Sequence, residues 1–252
     1  MKNFLKSYWN TLLFFTAAGL IGGFFVGLYL LDSYPAEIVA EITAQGFTPL
    51  LVGLVTAYQA AGYGLVLGAL GIILAKKVGL WKDERHFEKK PLMVAVLVAI
   101  TGGLGIILPD LLYFGNYIPA IRDSYLVKPN LATIIGSVIY GGIIEEVMLR
   151  LFLMSLIALI LHKIFGKGKA QPSTNLLVVA NIIAALLFAA GHLPTTAVLM
   201  GITPMILLRC FLLNGTFGLL FGWLYRKYGL RYAMVAHAGS HVVSKAIWLL
   251  FV

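Results

Sequence analysis

The sequence has few charged residues and almost no cysteine. Charged side chains make up 12% of its 252 residues, whereas an ordinary soluble domain carries about 25%. A soluble fold with so little charge could not cover its own surface. The composition therefore excludes intrinsic disorder, a coiled coil and a secreted disulfide scaffold. The single cysteine, Cys210, has no partner in the chain for an internal disulfide.

The sequence consists largely of long apolar segments. Hydrophobic residues make up 60% of the chain, and about 20 consecutive apolar residues are enough to cross the hydrocarbon core of a bilayer. We predict an all-α polytopic membrane protein in which residues 1–252 form one integral membrane domain. It has seven transmembrane helices, or eight if residues 193–200 form a re-entrant segment. The seven lie at about residues 9–31, 49–75, 92–114, 131–161, 175–192, 205–225 and 232–251.

Most basic residues fall in alternate connections between the predicted spans. These are Lys2, Lys6, Lys76, Lys77, Lys82, Arg85, Lys89, Lys90, Lys163, Lys167, Lys169, Arg226, Lys227 and Arg231. The opposite loops contain only Arg122 and Lys128. The positive-inside rule therefore predicts a cytoplasmic N-terminus. The net charge of +9 is explained by these loops, which can also bind anionic lipid, and we expect no nucleic-acid partner.

Ionisable residues inside the predicted spans are functional hypotheses, since each costs on the order of a few kcal/mol in hydrocarbon. The basic ones are Arg150, Arg209 and Lys245, the acids are Glu145 and Glu146 with Asp110 near an outer end, and the histidines are His192, His237 and His241.

Two adjacent glutamates and an arginine form the richest polar segment. Glu146 and Arg150 are four residues apart in acid-before-base order, which predicts an ion pair on one helix face. Glu145 points about 100° away and has no local cation, which suits a general base. The alternative is that all three form a buried network that only ties helices together.

The span histidines permit more than one role. His192 ends a predicted span just before Pro194, where an interfacial structural role is the alternative. His237 and His241 are four residues apart and share a helix face, a spacing that can hold a metal. No glutamate follows His237, so the zincin pattern HExxH is absent. A purely structural role for this pair stays open.

The order of three motifs resembles the CPBP family, the CAAX prenyl protease and bacteriocin-processing (Abi) family of intramembrane proteases. The motifs are EExxxR at 145–150, FxxxH at 188–192 and HxxxH at 237–241. The resemblance covers residues 131–252, which it identifies as the catalytic core, whereas residues 1–130 carry no family signature.

The resemblance implies a role for each motif residue. Glu145 corresponds to the catalytic glutamate, and Glu146 and Arg150 complete its motif. His192 would help to orient or activate water, and His237 would hold the oxyanion together with the residue at position 241. The family usually has Asn there, sometimes Asp, whereas this chain has His241. A neutral imidazole still donates one N–H.

We therefore predict an intramembrane endopeptidase in which Glu145 activates a water molecule. Its substrate would be the membrane-proximal end of a lipidated, CAAX-type protein or of a hydrophobic peptide. The alternative is a non-enzymatic transporter, or a scaffold or bacteriocin-immunity protein with a structural polar cluster. We expect no cofactor requirement. The alternative is zinc held by Glu145, His192, His237 and His241, a chemically acceptable ligand set.

The predicted spans place the motif residues at different depths. Glu145 lies near the middle of the membrane, His192 near the outer end of its span and His237 near the inner end of another. Straight helices would keep them apart. Either the fifth span continues beyond Pro194, or helices tilt and break around a water-filled cavity. We favour the cavity, since hydrolysis needs water.

The predicted orientation is tested by labelling engineered cysteines with a membrane-impermeant thiol reagent. A cysteine replacing Lys82 is expected to react only from the cytoplasmic side, and one replacing Ser124 only from outside, because basic loops stay in the cytoplasm. The reverse pattern would overturn the orientation.

Overall fold

The computed structural model describes residues 2–82, 86–166 and 168–252. These ranges are helical almost throughout and contain no strand, as the apolar runs predict. Two of the basic residues used to predict the orientation, Arg85 and Lys167, lie outside the described residues.

Helical segments follow one another with short connections. They are α1 (Lys2–Ser33), α2 (Ala36–Ala44), α3 (Pro49–Lys77), α4 (Lys89–Tyr117), α5 (Pro119–Ser124), α6 (131–165), α7 (Thr174–Met200), α8 (Pro204–Tyr228) and α9 (Leu230–Phe251).

Within the described residues, six helices are long and apolar enough to cross a membrane, namely α1, α3, α4, α7, α8 and α9. The predicted fourth span is helical as α6 but is not one of the six, so the predicted count of seven is not confirmed. Residues 193–200 form no separate span, because Leu193–Met200 continues α7. Pro194 is tolerated since it lies in the first turn of that segment, where a backbone N–H has no partner to lose.

Close helix packing explains the regularly spaced glycines of α1. A Cβ at Gly23 would lie 2.6 Å from the carbonyl oxygen of Thr56, and one at Gly27 would lie 2.8 Å from the Cα of Gly53. Only glycine therefore lets the backbones of α1 and α3 approach so closely, which is how membrane helices associate.

α6 lies at the centre of the helical assembly. It packs against α1 and α9 through its first half and against α3, α7 and α8 through its second half. Ile144, Val147 and Leu151 on this helix are completely buried. Two stretches, Ser137–Glu145 and Val147–Met154, have wide turns closed by i to i+5 hydrogen bonds, a geometry often found at functional sites. The helix that carries Glu145, Glu146 and Arg150 is thus enclosed by its neighbours.

Candidate active site

Glu146 is the centre of a buried charged cluster. Its Oε1 lies 3.0 Å from Nη1 of Arg150 and accepts a hydrogen bond from Nδ1 of His237 at 2.8 Å. The side chains of Glu146 and Arg150 are 0% and 2% exposed. The ion pair predicted from the four-residue spacing is confirmed. The bond to His237 joins α6 to α9 and was not predicted.

Arg150 extends this cluster to two further helices. Its Nη2 donates to the carbonyl oxygen of Gly218 on α8 at 3.2 Å. Its guanidinium carbon lies 4.6 Å from the ring centroid of Phe188 on α7 and 5.5 Å from that of Phe221 on α8. Arginine suits such a site because its planar fork hydrogen-bonds at its edge while its face packs on aromatic rings. One side chain therefore ties α6, α7 and α8 together.

Glu145 lies in a different environment from its neighbour. Its side chain is 20% exposed, and its Oε2 lies 3.8 Å from Nε2 of His237. In the described part of the chain, His237 is the one basic residue within ion-pair distance of Glu145. Successive helical residues point about 100° apart, which explains why one carboxylate is neutralised by Arg150 whereas the other faces open space. A carboxylate with room for a water molecule can act as a general base.

That open space is a cavity of about 340 Å³. Four predicted site residues line it, namely Glu145, His192, His237 and His241. The sequence did not single out other polar groups that also line it, namely Tyr29, Thr133, Ser137, Tyr140, Thr196, Asn214 and Ser244. The predicted fifth span continues through Pro194 as α7, and a cavity lies between the helices.

His192 occupies the junction between the two parts of α7, Thr174–Gly191 and Leu193–Met200. Its Nδ1 donates to the carbonyl oxygen of Phe188 at 2.9 Å. In a neutral ring the other nitrogen, Nε2, is then an acceptor. His192 can therefore accept a hydrogen bond in the cavity, as a residue that orients water requires.

His241 is held between α6 and His237. Its ring stacks on that of His237, with centroids 5.1 Å apart and planes at 26°. A Cβ added at Gly141 would lie 2.7 Å from Nε2 of His241, so the glycine at this position provides the room for the imidazole. His237 is itself stacked on Phe221, with centroids 4.5 Å apart. The two histidine rings are therefore fixed in orientation by packing.

A second ion pair lies at the cavity. Arg209 on α8 donates to both oxygens of Asp110 on α4, each at 2.6 Å, and the Tyr125 hydroxyl donates to Asp110 Oδ2 at 3.0 Å. Burial and the Asp110 carboxylate raise the pKa of Tyr125. The sequence identified Arg209 and Asp110 as unusual residues but not as partners. The sequence indicated this pairing only in that the two residues carry opposite charges inside predicted spans.

The described residues contain no group of three or more His, Cys, Asp or Glu side chains arranged to hold one metal ion. The four residues of the alternative zinc set line the same cavity but are not gathered around one point.

Comparison with known protein families matches residues 127–243 to a family model described as type II CAAX prenyl endopeptidase Rce1-like. The matched range contains all six predicted site residues, Glu145, Glu146, Arg150, His192, His237 and His241. No curated protein and no solved structure matches the chain.

The charged cluster predicts a large loss of stability in Arg150→Ala. Removing the guanidinium leaves the Glu146 carboxylate buried without a cation, which costs about 3–5 kcal/mol. Thermal unfolding of the purified protein in detergent measures this loss. Arg122→Ala is the matched control, because Arg122 pairs with Asp123 on the surface, where both side chains are more than half exposed, and such pairs contribute about 1 kcal/mol or less. Equal melting temperatures for the two variants would show that the buried pair does not stabilise the fold.

Proposed function

The chain belongs, through residues 127–243, to the CPBP family of CAAX prenyl proteases, and we propose on this basis that it hydrolyses a peptide bond in a lipidated, CAAX-type protein or in a hydrophobic peptide at the membrane. The observation that carries the mechanism is the different surroundings of the two glutamates. Glu146 is paired with Arg150 and accepts a hydrogen bond from His237, whereas Glu145 faces the cavity and is partly exposed.

Glu145 acts as the general base in the proposed reaction. It takes a proton from a water molecule that His192 orients through its free ring nitrogen. The water oxygen then bonds to the carbonyl carbon of the scissile peptide, whose oxygen becomes an oxyanion. When the C–N bond breaks, the proton held by Glu145 goes to the leaving amine, so Glu145 is ready for another cycle.

His237 and His241 stabilise the oxyanion. Since Nδ1 of His237 donates to Glu146, a second N–H at Nε2 exists only when the ring is the imidazolium. His241 donates one N–H in its neutral form. Their stacked rings hold these donors in place before the substrate arrives, and one such donor typically contributes about 3–4 kcal/mol to transition-state stabilisation.

We also propose that α6 is a seventh membrane span and that the N-terminus is cytoplasmic. α6 is continuous over residues 131–165 and is enclosed by spanning helices. Two basic connections lie together, since Lys82 donates to the carbonyl oxygen of Lys227. Lys128 lies at the opposite end of α9, where it donates to the carbonyl oxygen of Trp248 at 3.2 Å. Both observations support alternate connections on opposite sides, with the basic side available to anionic lipid.

A non-enzymatic scaffold or transporter is the competing function. A scaffold accounts for the buried cluster of Glu146, Arg150 and His237, because such a network joins helices. It gives no reason for a second carboxylate in a cavity beside three histidines. The protease mechanism requires that arrangement.

Glu145→Gln is expected to abolish cleavage and leave the fold intact. The amide has nearly the same shape but cannot accept the proton, and general-base catalysis contributes about 10²–10⁴-fold. The measurement is cleavage of a prenylated CAAX peptide by detergent-purified protein, with the melting temperature measured in parallel. Glu146→Gln is the matched control and is expected to lower the melting temperature, since it removes a buried partner of Arg150 and His237. A wild-type protein that cleaves nothing, or a fully active Glu145→Gln, would contradict the proposed function.

We propose that hydrolysis needs no metal, which His241→Asn tests against zinc catalysis. Without a metal, the asparagine amide supplies an N–H donor as in the family's usual motif, and activity is kept or improved. With zinc, loss of an imidazole ligand weakens metal binding and activity falls with it. Cleavage by the variant is measured together with the zinc content and chelator sensitivity of the parent. Stoichiometric zinc and an inactive His241→Asn would show that the metal-free mechanism is wrong.

A further inference from the structure

Lys245 lines the cavity but has no part in the proposed hydrolysis. It follows His237 and His241 at four-residue intervals on α9, so the three side chains form one stripe along the helix. The stripe begins at the buried charged cluster and ends at a lysine. Within a membrane span, such a lysine is costly and points to a function.

The structure provides no acidic partner for this lysine. Among the described residues, no carboxylate lies within ion-pair distance of Lys245, and the contact its ammonium makes is with the ring of Trp248, at 5.0 Å from the centroid. The other cation that lines the cavity, Arg209, is already paired with both oxygens of Asp110. Lys245 therefore retains its capacity to bind an anion in the cavity.

The distance along α9 suits a short peptide. His237 and Lys245 are eight residues apart, which corresponds to about 12 Å along a helix axis. The Nε2 of His237 lies 3.8 Å from Glu145, so one end of this distance is at the proposed scissile bond. An extended peptide advances about 3.3–3.6 Å per residue. Roughly three residues beyond the scissile bond would reach Lys245.

We propose that Lys245 binds the free C-terminal carboxylate of the substrate and thereby selects bonds that lie a few residues from a chain end. This inference rests on the proposed function. The ammonium would donate charge-assisted hydrogen bonds to the carboxylate, which are about twice as strong as neutral ones. Lys245 would thus determine specificity, whereas Glu145 and the three histidines carry out hydrolysis.

The test compares two peptides that differ only at the C-terminus, one with a free carboxylate and the other with a carboxamide. The wild-type protein is expected to show a higher kcat/KM for the free acid, by about 10- to 100-fold, as the loss of a hydrogen bond to a charged group implies. In Lys245→Met this acid-to-amide ratio is expected to approach one. Lys245→Arg is expected to retain a ratio well above one, because it keeps the positive charge.

Lys128→Met is the matched control. Lys128 lies near the same end of α9 but is exposed and donates to the carbonyl oxygens of Trp248 and Leu249, so its loss is expected to leave the ratio unchanged. A merely structural role of Lys245 would lower kcat/KM for both peptides in parallel and preserve the ratio. A wild-type ratio near one, or a high ratio retained in Lys245→Met, would overturn the proposal.

A binding measurement separates this proposal from the proposed function. Fluorescently labelled acid and amide peptides are titrated against the Glu145→Gln protein and against the Glu145→Gln, Lys245→Met double variant. Tighter binding of the acid by the first protein, lost in the second, would support carboxylate recognition by Lys245 even if the wild-type protein cleaves neither peptide. Equal binding of the two peptides by Glu145→Gln would contradict it, whether or not cleavage occurs.

Discussion

The buried carboxylate of Glu146 is the constraint on which the rest of the site depends. A charge inside an apolar assembly is stable only when it is paired and hydrogen-bonded. Oε1 of Glu146 meets that requirement with Arg150 on its own helix and His237 on α9, whereas the buried Oε2 has no hydrogen-bond partner among the described residues. Arg150 in turn needs the carbonyl oxygen of Gly218 and the faces of two aromatic rings. Pairing this one carboxylate oxygen therefore links α6, α7, α8 and α9 to one another.

The same constraint separates the roles of the two adjacent glutamates. Since Arg150 and the hydrogen bond from Nδ1 of His237 are used by Glu146, Glu145 is left on the cavity side without a cation of its own. The position of His237 also follows from this arrangement, because the bond at Nδ1 directs Nε2 toward Glu145. A structural ion pair and a chemically available carboxylate thus arise from two neighbouring residues, which differ only in the direction they face.

The two ends of the cavity carry different polar groups. Arg209, Asp110 and Tyr125 satisfy one another, so Arg209 lines the cavity with its charge already neutralised. Lys245 lines the same cavity without an acidic partner. A carboxylate and histidines at one end and a lysine at the other form a polar path inside an otherwise apolar assembly. A peptide bound along it would meet different chemistry at its scissile bond and at its terminus.

The sequence by itself determined the features that depend on local spacing. The apolar runs predicted an all-helical membrane protein, the four-residue spacing of Glu146 and Arg150 predicted their ion pair, and the order of three motifs predicted the family. Only the tertiary structure determined which side chains of different helices contact one another. The bond between His237 and Glu146 and the pairing of Arg209 with Asp110 join residues more than 90 positions apart. Such contacts depend on the tilt and rotation of whole helices, which packing against neighbours sets and spacing along one helix does not reveal.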